Sequence, residues 1–140
     1  MKAVIIAAGR GKRMQSLTST APKPMLLVAG KPLIEHIISS LPDQVDELFI
    51  IIGYLGDQIK NFCGDNFYGR SVTYIEQEKP LGTGHALKLC QPYINKEKFF
   101  VLNADDLFDK TSLERSLKHK LCLLVKEHEN PERFGVVYTN

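Results

Sequence analysis

The chain has 140 residues, of which 44% are hydrophobic and 24% charged, with a formal net charge of +2 at pH 7. That length supports one domain with its own core. A charge so close to neutrality excludes a surface built as a whole for nucleic acid or an anionic membrane. The cysteines Cys63, Cys90 and Cys122 have neither zinc-ligand spacing nor the pattern of a disulfide framework, and they read as buried thiols of a protein in a reducing compartment.

Lys2 to Ala8 is a continuous apolar run of the length used by a central parallel strand. It is too short to span a membrane and enters a glycine loop rather than a cleavage site, so no signal peptide is expected and the protein reads as cytoplasmic. Leu33, Ile34, Ile37 and Ile38 then recur at helical spacing, and Pro42 with Asp43 closes that segment. Leu48 to Ile52 is a second strand, stopped by Gly53, and Gly56 to Phe62 is a short helix bearing Ile59 and Phe62. Ser71 to Ile75 is a third strand. Thr83 to Cys90 is a helix with Ala86, Leu87 and Cys90 on one face, and Phe99 to Leu102 is another buried strand. Thr111 opens a later helix with Glu114 as its capping-box partner. Lys120 to Glu127 and Phe134 to Tyr138 read as further strands. Strands alternating with helices over short connections predict an α/β fold, a three-layer α/β/α sandwich with a predominantly parallel sheet. There is no internal repeat or linker, so residues 1–140 form one domain.

The loop Gly9-Arg10-Gly11-Lys12-Arg13 follows the first strand without a spacer. In open α/β sheets the carboxyl edge of the strands is where ligands bind, and glycines there let backbone N–H groups approach phosphate oxygens. Two familiar phosphate motifs are absent. A dinucleotide fingerprint needs glycine where Met14 stands, and a P-loop needs Ser or Thr after Gly-Lys, where this chain has Arg13. An ordinary solvated basic turn remains the competing reading of the glycines alone.

The loop AAGRGKRM, followed by PKPMLLVAGKPLIEHII, resembles the sugar-1-phosphate nucleotidyltransferases, which join a nucleoside triphosphate to a sugar phosphate and release pyrophosphate. In that family the order is Gly-x-Gly-x-Arg-Met/Leu, Pro-Lys-Pro, then Gly-Lys-Pro. Gly9, Gly11, Arg13, Met14, Pro22, Lys23, Pro24, Gly30, Lys31 and Pro32 fill those places, with Lys12 where Thr or Ser is usual. The segment from Gln77 to Ala86 resembles the family's base-recognition loop, and that from Phe100 to Phe108 resembles its strand ending in a metal-binding Asp. The segment from Asn130 to Val137 resembles one that approaches the sugar. The resemblance covers essentially the whole chain and implies a Rossmann-like fold of the nucleotide-diphospho-sugar transferase type.

Attack of a sugar-phosphate oxygen on an α-phosphorus needs positioning and charge neutralisation more than covalent help. The resemblance therefore assigns Arg13 to the β- and γ-phosphates, where its planar fork of donors would steady the leaving pyrophosphate, and Lys23 to the α-phosphate. The prolines flanking Lys23 restrict its backbone. Surface salt bridging and simple solvation are the competing readings of these two cations. Ala8, Gly9, Gly11 and Lys12 are implied nucleotide contacts. Strand alternation sends Asp105 and Asp106 different ways, and the resemblance selects Asp105 for Mg²⁺ and leaves Asp106 as a cap. Gln77 offers a donor and an acceptor that match uracil or thymine, with Gly82 and Thr83 also at the base. His85 is read as a structural hydrogen-bonding residue, and Asn103 and Gly135 as sugar contacts.

The expected function is Mg²⁺-dependent formation of a nucleoside-diphosphate sugar from UTP or dTTP and a sugar 1-phosphate, with no nucleic-acid or membrane partner. Complete family members continue with a Glu-Lys-Pro motif that does not follow Gly135, so the chain reads as the N-terminal, nucleotide-binding portion. Strand edges left uncovered would favour a homo-oligomer. Two alternatives stand beside this: a non-catalytic or regulatory nucleotide-binding relative, and a CTP-using cytidylyltransferase acting on phosphocholine or another alcohol phosphate.

Overall fold

A computed structural model of the chain describes residues 1–9, 11, 18–94 and 97–138. Strands β1 (Lys2–Ile6), β4 (Glu47–Ile52), β6 (Arg70–Glu76) and β7 (Phe99–Asn103) run parallel, and the two-residue β5 (Asn66–Phe67) pairs antiparallel with β6. The sheet order is β5-β6-β4-β1-β7. A separate two-stranded ribbon joins β2 (Leu27–Val28) to β3 (Lys31–Pro32). The helices are α1 (Leu33–Ser39), α2 (Gly56–Cys63), α3 (Thr83–Leu89) and α4 (Lys110–Ser116).

The near-continuous apolar composition of β1 and β4 has its reason in what covers them. Ala3, Ile5, Leu48, Ile50 and Ile52 pack with Ile34, Ile37 and Ile38 of α1, Ile59 and Cys63 of α2, and Leu113 of α4. The alternate residues Val4, Phe49 and Ile51 pack with Ala86 of α3 and with Cys90. Both faces of the central strands are therefore buried, as a parallel sheet requires, and the architecture is the three-layer sandwich expected.

Several expectations are corrected. Residues 120–127 and 134–138 form no strand. Neither segment pairs with a described strand: residues 120–124 only line a cavity beside β7, and Leu121 and Tyr138 are 94% and 91% exposed. The sheet ends instead at β7, an edge strand whose Phe99 and Val101 are exposed. Helix α4 is capped two residues earlier than expected: the Asp109 carboxylate accepts the Ser112 N–H at 2.9 Å, which places Thr111 inside the helix.

Cys63 and Cys90 are buried, but Cys122 is exposed, because it lies in the uncovered segment that was expected to be a strand. Burial pushes the Cys63 thiol up to about 12 and the Cys90 thiol up to about 11. Since the thiolate is the reactive form, a thiol reagent at pH 8 is expected to label Cys122 quickly in the native protein and the other two only in denaturant. Mass spectrometry of labelled peptides checks this, and rapid native labelling of Cys63 would contradict it.

Candidate functional site

Chain order creates the crevice. From β1 the chain winds outward through β4 to β6, then returns to lay β7 on the other side of β1. The carboxyl ends of β1 and β7 are thus a point where winding reverses, and connections diverge there to leave an opening. The strand pairing runs on past these ends, with Ala7 donating to the Ile51 carbonyl at 2.8 Å and Ala104 to the Ile6 carbonyl at 3.0 Å. Ala8, Gly9 and Gly11 leave from one lip, and Asn103 to Asp106 from the other.

Gly11 has φ +60°, and a Cβ there would lie 3.0 Å from the Thr18 methyl carbon, so a side chain meets both strain and crowding. The buried Thr18 donates its hydroxyl to the Gly11 carbonyl at 3.3 Å and closes the loop's base. Two α2-side residues hold the returning chain: the Tyr54 hydroxyl donates to the Ser19 carbonyl at 3.1 Å, and the Gln58 amide to the Thr20 carbonyl at 2.8 Å. The loop then enters a 3₁₀ turn, Lys23–Met25, with Pro22 extended before it and Pro24 buried.

Lys23 and Asp105 meet there. The ammonium donates to Asp105 Oδ2 at 2.6 Å across 82 positions of sequence. Both ends remain accessible, at 28% and 42% side-chain exposure. The neighbouring carboxylate turns elsewhere, for Asp106 Oδ2 accepts from the Asn103 amide at 3.1 Å. The two adjacent acids thus diverge as strand alternation predicted.

On the β4–β6 side, the Gln77 N–H continues the sheet to the Ile52 carbonyl at 2.8 Å, and the residue is buried at 8% exposure. The amide Nε2 donates to the Gly82 carbonyl at 3.1 Å and lies 3.0 Å from His85 Nδ1. Gly82 precedes α3 with φ +95°, a conformation side chains rarely adopt, and Thr83 opens the helix. Gly135 stands in exposed, irregular chain where a Cβ would meet nothing within 4 Å, and no described contact ties it to the crevice. Arg13 and Lys12, with Arg10, lie outside the described residues.

Gly53 shapes the site as well as ending β4. A Cβ on Gly53 would stand 2.9 Å from the Ala8 carbonyl oxygen and 3.2 Å from the Ala8 Cβ, so the chain leaving β4 passes directly against the glycine loop. Gly53→Ala is expected to cost about 1–3 kcal/mol of stability by overpacking and to displace Ala8. Urea unfolding checks it, and an unchanged midpoint would contradict it.

Among the described residues, no group of three or more His, Cys, Asp or Glu side chains is placed to hold a metal ion. A single exposed carboxylate is nevertheless the donor set that suits Mg²⁺, which takes one or two carboxylates and fills its shell with phosphate oxygens and water. Asp105 fits that description.

The family described as nucleotidyl transferase matches residues 2–140. The chain belongs to this family. Among curated relatives, the bifunctional protein GlmU of Methanococcus maripaludis (strain S2) is 40% identical over 98% of this chain and 32% of its own length. The D-glycero-alpha-D-manno-heptose 1-phosphate guanylyltransferase of Aneurinibacillus thermoaerophilus is 34% identical over 99% of this chain and 63% of its own. A UDP-glucose pyrophosphorylase solved in complex with UDP-glucose superposes with a TM-score of 0.68 at 26% identity, covering 84% of this chain and 53% of that one. This nucleotidyl transferase chain therefore spans about a third of the GlmU relative and under two thirds of the other two.

Proposed function

We propose that this nucleotidyl transferase chain is the nucleotide-binding portion of an enzyme that transfers a nucleotidyl group to a sugar 1-phosphate. The observation that carries the reading is the Lys23–Asp105 pair, set between the lips of a glycine-loop crevice where the sheet reverses its winding. A phosphate oxygen of the sugar 1-phosphate attacks the α-phosphorus, a P–O bond forms, the bond to the β-phosphate oxygen breaks, and pyrophosphate leaves with the electron pair. Lys23 neutralises charge on the α-phosphate and Arg13 that on the β- and γ-phosphates. Asp105 would hold Mg²⁺, whose chemistry there is to draw the phosphate oxygens together and offset their charge. The glycines admit the triphosphate to the backbone without a Cβ in the way.

The base is read as uracil or thymine, so that UTP or dTTP is the donor. The support is an acceptor: with the Gln77 amide N–H₂ engaged by Gly82 and His85, Oε1 is left for a ring N–H. Guanine also carries such an N–H, and the guanylyltransferase among the relatives supports GTP as the second reading. A cytoplasmic setting is proposed on the free, exposed Cys122 thiol. No described helix is long and apolar enough to cross a membrane.

Pyrophosphate release with Mg²⁺, a panel of UTP, dTTP, CTP and GTP, and several sugar 1-phosphates tests the proposal. Sugar-phosphate-dependent release with UTP or dTTP is expected. Nucleotide binding without release would favour a regulatory or non-catalytic role, and a preference for CTP would favour the alcohol-phosphate cytidylyltransferase.

A further inference from the structure

Gln77 and His85 lie eight positions apart, and the turn through Gly82 folds their side chains together. The amide nitrogen of Gln77 is within 3.1 Å of the Gly82 carbonyl and 3.0 Å of His85 Nδ1. A carbonyl oxygen only accepts, so the group facing Gly82 is N–H₂ and not the amide oxygen. Its second hydrogen is then directed at Nδ1, which must accept, and the imidazole proton resides on Nε2. The Gly82 carbonyl is itself held in place by the Ala86 N–H at 3.1 Å. Turning the amide over would set Oε1 against that carbonyl, an acceptor-to-acceptor contact at a residue only 8% exposed, and would require the ring to move its proton to Nδ1.

We propose that His85 is a positioning residue for base selection: it locks Gln77 with its acceptor outward, so that the site takes bases presenting a ring N–H and rejects those presenting a ring nitrogen lone pair. Uracil, thymine and guanine fall in the first class, cytosine and adenine in the second. The inference rests on the reading that Gln77 meets the base. Without an acceptor at position 85, one hydrogen of a buried amide loses its partner; the Gly82 carbonyl still opposes a turned amide, so the side chain swings away to recover one, and the outward acceptor is displaced.

The test compares the wild-type chain with His85→Leu, which fills space without accepting, His85→Asn, whose Oδ1 falls near the position of Nδ1, and Gln77→Ala. Calorimetric titration with UTP, GTP, CTP and ATP in Mg²⁺ reads selectivity, and ¹⁵N NMR of the imidazole reads the tautomer. The wild type is expected to prefer UTP or GTP over CTP and ATP by at least about tenfold, the scale of one unmet buried hydrogen bond. His85→Leu should lose most of that preference, His85→Asn should keep it, and the wild-type ring should carry its proton on Nε2. Preference retained in His85→Leu but lost in Gln77→Ala overturns the role of His85 alone, as does a ring protonated on Nδ1. Preference retained in Gln77→Ala, or no nucleotide bound by the wild type, overturns the reading of the base site and this inference with it.

Discussion

Asp105→Asn is expected to lower Mg²⁺-dependent pyrophosphate release by about a thousandfold. The substitution preserves shape, and the Asn oxygen can still accept from Lys23, so what is removed is negative charge. Metal-borne charge stabilisation in a transition state amounts to several kcal/mol, and about 4 kcal/mol corresponds to a thousandfold in rate. Stability should barely change. The pair is partly solvated, with Asp105 42% exposed, and such ion pairs contribute roughly 0–1 kcal/mol. The measurement is release rate against Mg²⁺ concentration, with a thermal melt of the same sample. Where the chain alone binds nucleotide without transferring it, the readout becomes the Mg²⁺-dependent gain in affinity, which the variant should lose. Activity above a tenth of wild type would overturn the proposed metal role of Asp105. A large fall in melting temperature would recast the carboxylate as a structural anchor for the Lys23 turn.

The elements that local periodicity specifies were legible in the sequence. The apolar runs of β1 and β4 are as long as buried parallel strands, and the i, i+3, i+4 spacing of α1 aligns Ile34, Ile37 and Ile38 on the face that meets the sheet. The two lips of the crevice could be inferred too, because parallel strands put the residues that follow them on one edge. The Lys23–Asp105 contact itself could not, since it depends on how 82 intervening residues fold. Nor could the approach of Gly53 to Ala8, which needs β4 already seated beside β1. Residues 120–127 show the opposite failure. Their composition suits a strand, but β-propensity records how well a side chain packs on a half-buried surface, and here Leu121, Leu123 and Val125 stay exposed instead of packing on one. Asp109 and Thr111 are both acceptable caps, and the choice was made by where α4 begins to pack through Leu113.

Arg70→Met is expected to destabilise the fold by about 3–5 kcal/mol, without disturbing the crevice at the opposite ends of the strands. Arg70 opens β6 at the amino edge of the sheet and is 8% exposed. Its Nε donates to the Val45 carbonyl at 3.1 Å, Nη1 to Tyr68 at 3.1 Å, and Nη2 to Leu41 at 3.0 Å and Pro42 at 3.4 Å. These carbonyls belong to the chain between α1 and β4 and to the turn before β6, so one planar fork ties two connections together. Methionine fills much of the volume but donates nothing. The Pro42 carbonyl keeps the Val45 N–H at 3.0 Å, but each of the other three left unsatisfied costs about 1–3 kcal/mol, reduced wherever water reaches it, and the sum is a large share of the 5–15 kcal/mol typical of a domain. Lysine should recover only part of the loss, because a single ammonium cannot span acceptors arranged for a guanidinium. Urea unfolding should therefore rank wild type above Arg70→Lys above Arg70→Met, with the last melting roughly 10 °C or more below wild type. A loss under about 1 kcal/mol, the size of a surface ion pair, would mean that water replaces the guanidinium freely and that these two connections hold together without it.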